Sequence, residues 1–163
     1  MRKILFRGKR ISNGEWVEGG IMRAFHPNFD STARGFAKQE PNCYCICENQ
    51  KVFFVEQKSI GQYTGLQDKN GKRIFEGDVI QMNDNPKDLA VIRFGEFSCV
   101  DIELEAKTDR VHGWYYKPLH TDDLSKLEPF CWEIQLNEMW VEQCGIEVIG
   151  NIHDNKEFQK LLE

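Results

Sequence analysis

Residues 59–82 carry Asn70-Gly71 between two apolar-bearing runs, and this dipeptide constrains the fold more than any other feature of the chain. Asn and Gly accept the positive φ angles of a sharp reversal, so the chain must double back here, with a β run on either side. The same signal recurs. Asn13-Gly14 lies between Arg10-Ile11-Ser12 and Glu15-Trp16-Val17, and Glu48-Asn49-Gln50 separates Cys43-Tyr44-Cys45-Ile46-Cys47 from the β-branched and aromatic run at 51–56. Residues 2–7 read as an opening strand. Asp84-Asn85-Pro86 marks another turn, residues 89–94 and 97–104 read as strands paired about Gly95-Glu96, and 111–116 add one more.

Residues 130–141 alternate imperfectly, with Trp132, Ile134 and Leu136 on one parity and Met139 and Val141 on the other. That pattern predicts a strand with a bulge or turn at Asn137-Glu138, followed by a β segment over 144–152. A short helix is expected near 124–127, capped by Thr121 or Asp122. A terminal helix over 155–162 is expected after Asp154, with Glu157 three residues on in capping-box spacing. Eight residues cannot hold a helix alone in water, so Phe158, Leu161 and Leu162 must dock on a body. Residues 26–41 mix turn formers with isolated Phe29 and Phe36 and read as a loop. The expectation is a mainly β protein of antiparallel hairpins, with a small SH3-like or partly closed barrel around residues 58–104 and a short C-terminal helix. It is read as a single domain over 1–163, divisible into N-terminal hairpins at 1–57 and a barrel-like body with the helix at 58–163.

With 163 residues, 40% of them apolar, the chain has enough material for a core without a staple. No apolar run approaches the roughly 18 residues of a membrane span. The basic N-terminus is followed by only Ile4-Leu5-Phe6, where a secretory signal needs roughly seven to fifteen apolar residues, so a cytoplasmic protein with reduced thiols is expected. The formal charge of −5 is uneven: residues 1–40 hold eight Lys/Arg against four Asp/Glu, and 41–163 hold thirteen against twenty-two. This excludes a wholly basic nucleic-acid binder and leaves room for a local basic patch.

The run Ile60-Gly61-Gln62-Tyr63-Thr64-Gly65-Leu66-Gln67-Asp68-Lys69-Asn70-Gly71-Lys72-Arg73-Ile74-Phe75-Glu76-Gly77-Asp78-Val79-Ile80 resembles the hallmark segment of the YopX family of phage and prophage proteins. Ile146-Glu147-Val148-Ile149-Gly150-Asn151-Ile152-His153-Asp154-Asn155 resembles that family's closing strand and helix entry, and Phe6-Arg7-Gly8-Lys9 its opening. The resemblance implies a β-rich fold and an origin in a bacterial mobile element, hence the cytoplasm of a bacterial host. It brings no catalytic residue and no cofactor. Read physically, the hallmark is turn chemistry plus core: Ile74, Val79 and Ile80 face inward and Glu76-Gly77-Asp78 interrupts the strand. The functional rival has Gln62, Tyr63, Thr64 and Asp78 as a polar rim for a partner, with Gly65 and Gly77 permitting close approach.

Cys43, Cys45 and Cys47 fall on one face of a strand, a period that could gather thiols at a metal. A structural zinc site instead takes pairs at C-x₂₋₄-C with a second pair elsewhere, so packed thiols are the expectation and no metal ligand is assigned. His26, His112, His120 and His153 lie far apart and outside any metalloprotease or nucleophile motif. His120-Thr121-Asp122-Asp123 brings an imidazole near two carboxylates without a nucleophile, and no phosphate loop is present, so no catalytic or cofactor residue is assigned. Trp114-Tyr115-Tyr116 between Arg110 and Lys117 has the composition of a stacking platform for single-stranded nucleic acid; the alternative is a strand burying Trp114 and Tyr116. The sequence therefore favours a non-enzymatic module acting through self-association or a host or phage protein. The alternatives are a nucleic-acid-binding small barrel and an enzyme without a recognised motif; no membrane partner is expected.

Overall fold

The structure, a computed structural model, describes residues 3–25, 42–101 and 106–162. The loop expected at 26–41 lies outside them. The protein is mainly β, with antiparallel strands in two sheets and two short α-helices among the described residues. It divides into two compact units, residues 1–63 and 64–163, with the boundary inside one strand.

The first unit carries β1 (Phe6–Lys9), β2 (Trp16–Phe25), β3 (Asn42–Glu48) and β4 (Lys51–Val55) in the spatial order β4-β3-β2-β1. The first residues of β5 (Gly61–Gln67) pair with the free side of β1. The Asn13-Gly14 turn forms as expected: Gly14 has φ 72° and donates to the Arg10 carbonyl. Asn49 and Gln50 take φ 48° and 67°, the consecutive left-handed pair of a two-residue hairpin turn. Alternation then sends Val17, Ile46 and Val55 to one face, where Phe6, Tyr44, Phe53 and Ile60 pack on them. A Cβ on Gly19 would stand 2.0 Å from the Cys47 carbonyl oxygen, so the backbones meet where only glycine fits.

In the second unit, β6 (Arg73–Phe75) follows the Asn70-Gly71 turn, and β7 (Asp78–Met82), β8 (Asn85–Asp101), β9 (Ala106–Pro118), β10 (Ile134–Gln135) and β11 (Glu147–Asn151) form a sheet ordered β10-β9-β8-β7-β11. Period two divides its residues between two cores. Ile80, Ala90, Ile92 and Tyr116 join Leu136, Ile146 and Val141, the last from α1 (Glu138–Gln143), in one cluster. Val79, Leu89 and Val91 join Leu119 and Ile152 in another. There α2 (Lys156–Lys160) and the residues after it dock through Phe158, Leu161 and Leu162, as its shortness demanded.

Four expectations are corrected. Neither sheet closes into a barrel. The five-stranded sheet ends on β10, two residues long, and on β11, whose register shifts between Val148 and Gly150; short and bulged strands terminate sheets. The hairpin at Gly95-Glu96 does not form. Gly95 is extended at φ 159°, and β8 runs unbroken for 17 residues, pairing with β9 from Ala90↔Pro118 to Asp101↔Ala106. Residues 130–141 hold the two-residue β10 and then α1, because the change of parity at Asn137 is the start of a helix: the Asn137 side chain accepts from the Trp140 N–H. The cap of α2 is Asn155, which accepts from the Glu157 N–H, while Asp154 accepts from Asn151 Nδ2.

Candidate interaction surface

The hallmark segment is spent on architecture. Asp78, only 1% exposed, accepts from the Phe75 N–H, and Thr64 Oγ1 donates to the Ile74 carbonyl and accepts from the Leu66 N–H. Tyr63 is also buried. Three of the four residues that could have formed a polar rim are thus inside, leaving Gln62 half-buried. At the turn itself, Asp68 Oδ1 accepts from the Asn70 and Lys72 amides, and Oδ2 from the amide of Val148 on β11. Asp68 was not singled out from sequence; its turn partners are local, but its third partner is 80 residues away.

The chemical candidates do not converge. Cys45 is fully buried and Cys47 exposed, and the side chain of Cys43 is outside the described residues. No group of three or more His, Cys, Asp or Glu that could hold a metal occurs among the described residues. His112 lies on β9, His120 in the loop after it and His153 after β11; His26 is outside the described residues. Near His120, Asp122 Oδ1 accepts from the Ser125 amide and its carboxylate lies 3.8 Å from Lys87 Nζ, while Asp123 pairs with Lys126. The Ser125 amide first, and Lys87 after it, hold the Asp122 carboxyl below its ordinary range. The loop is held by hydrogen bonds between Asp122 and Ser125 and by the bond from the Thr121 hydroxyl to the Lys87 carbonyl.

Three of the N-terminal cations are engaged within the first unit. Arg7 lies 4.8 Å over the Trp16 ring, Arg23 5.6 Å over Tyr44, and Arg10 3.9 Å over Phe53 while pairing with Glu15.

The surface that does stand out is on β8 and β9, where both outrun the sheet. Strand β7 accompanies β8 only to Val91, with one further bond from the Gly77 amide to the Ile92 carbonyl. Strand β10 meets β9 at Tyr115 and Tyr116, with one further bond from the Leu136 amide to the Trp114 carbonyl. Beyond these points the two strands form a ribbon, each the other's only strand partner among the described residues. On one face Phe94 lies 4.8 Å from Trp114 and edge-on to His112 at 4.9 Å, and 49% of Phe94 remains exposed. On the other, buried Phe97 stacks on Tyr115 at 5.1 Å. Arg110 pairs with Glu96 at 3.2 Å, and Tyr116 is buried in the core. The run from Arg110 to Lys117 is therefore not a continuous platform: its rings divide between the two faces and into the core.

No helix of the described residues is long and apolar enough to cross a membrane. Among curated proteins, nothing matches the chain. The family model described as YopX protein matches residues 5–162, nearly the whole sequence, and the chain belongs to the YopX family.

Proposed function

We propose that this YopX-family protein is a non-enzymatic accessory protein of a bacterial mobile element, active in the host cytoplasm, that works by self-association through the β8–β9 ribbon. The observation that carries this reading is Phe94, a large ring half open to solvent on the stretch of β8 beyond Ile92, where the outer edge of the strand has no neighbouring strand among the described residues. An unpaired edge presents amides and carbonyls that a second copy of the same edge can satisfy, and an exposed aromatic beside it supplies the apolar contact that makes such pairing persist. Binding of nucleic acid draws less support, because Arg110 is paired with Glu96 and the rings beside it are packed on one another.

Light scattering coupled to size exclusion, run over a wide concentration range, tests the proposal. The expected result is a dimer that Phe94→Glu converts to a folded monomer, since a carboxylate at that position would be buried unpaired in the interface. A wild-type protein that stays strictly monomeric at the highest concentration overturns self-association. A dimer indifferent to Phe94→Glu overturns the ribbon as its seat.

A further inference from the structure

The second unit contains a cavity of about 330 Å3, a volume suited to a small organic molecule. Its walls are rings and aliphatic groups, with Tyr116, Trp132, Trp140 and Ile134 prominent, and exposed Phe130 and Asn83 among them open it to solvent. Asp88 is the one charged residue in the lining among the described residues. Its carboxylate accepts a hydrogen bond from Asn83 Nδ2 at 3.0 Å.

The field of that carboxylate reaches inward. Burial first, and Asp88 in addition, hold the Cys144 thiol above its ordinary value, and the Tyr116 phenol is raised by burial and then by Cys144 and Asp88. Both groups thus stay protonated and uncharged at neutral pH, and neither adds to nor offsets the charge of Asp88. One wall also carries an unmet polar group: Trp132 is 6% exposed, and its indole N–H has no acceptor among the described residues. The ring of Trp132 already attracts a cation from within the chain, since Lys107 Nζ lies 5.6 Å from its centroid.

We propose that this cavity binds a compact organic cation, with an ammonium or quaternary ammonium head beside Asp88 and an apolar body among Tyr116, Trp132 and Trp140. Aromatic faces and a carboxylate attract positive charge, a neutral ligand forgoes that attraction, and an anion is repelled.

Benzyltrimethylammonium is a suitable probe, with phenylacetate as the anion of similar body and benzyl alcohol as the neutral one. Titration is followed by the indole N–H signals in 15N-edited NMR, which distinguish wall tryptophans from Trp16 in the first unit. The expected result is a saturable shift of Trp132 and Trp140, with Trp16 unmoved, for the cation alone. Asp88→Asn, at a half-exposed position whose fold is checked by retained signal dispersion, should weaken the cation about tenfold. No saturable shift at millimolar cation overturns the proposal, as does equal affinity for phenylacetate or benzyl alcohol, or unchanged affinity in Asp88→Asn.

Discussion

Asp68 does the most for the family's hallmark segment, because its two oxygens accept three backbone amides, two inside the turn and one from Val148 on β11. It is 6% exposed, so a donor that loses it has little water to turn to. Asp68→Asn replaces one acceptor oxygen with an NH2 that faces an amide donor, and should cost about 2 kcal/mol of stability. Asp68→Ala strands all three amides and should cost more, and urea denaturation ranks the two. Equal stability of wild type and Asp68→Ala would show that the three bonds contribute nothing net. The neighbouring Asn70-Gly71 reversal was legible because turn chemistry is local, whereas the partner of Asp68 depends on a strand that closes the sheet from the far end of the chain. Asp78 shows the same limit. Its acidic side chain admits two readings, an interruption of the strand and a polar rim, and it is inside because Gly77, at φ 80°, bends the chain so that the Asp78 carboxylate caps the Phe75 amide.

At the scale of elements, turns that carry Asn were legible, and a glycine without one was not a reliable sign of a turn. Gly95-Glu96 lies between two apolar runs, but glycine tolerates extended backbone as readily as a turn, and only pairing with β9 decides which it adopts. Helix α1 was hidden for a different reason: residues 132–136 do alternate, so the shift of parity after Leu136 looked like a defect in a strand. Asn137 was the signal, since its short side chain can cap the Trp140 amide and thereby start a helix only six residues long. Asn137→Ala should therefore destabilise the protein by about 1 kcal/mol, while Asn137→Asp, which keeps the acceptor oxygen, should leave stability nearly unchanged. Thermal melts of both variants check this; an equal loss in both would mean that the side-chain amide, not the cap, is what the site requires. Because α1 supplies Val141 to the core and Trp140 to the cavity wall, Asn137→Ala should also weaken any cation bound there.

For the molecule as a whole, the β class and antiparallel pairing followed from turn spacing, but how the apolar residues divide among cores did not. Alternation says which residues share a face and is silent on which face meets which. The first unit has its own cluster built on Val17, Ile46 and Val55, and the second has two, one of which centres on Ile80, Ile92, Tyr116 and Ile146. More buried apolar surface in the second unit implies a higher free energy of opening there, since burial dominates the stabilising side of folding. Native-state hydrogen exchange should accordingly find the amides of Ile80, Val91 and Ile92 among the slowest, and those of Val17 and Ile46 faster. Ile46→Ala sharpens the test. Removing a fully buried isoleucine should cost roughly 2–5 kcal/mol. If the units open separately, that loss should speed exchange across β1 to β4 and leave Ile80 and Ile92 unchanged. If instead every slow amide accelerates together, the chain opens as one cooperative body, and the two clusters of the second unit owe their protection to the first.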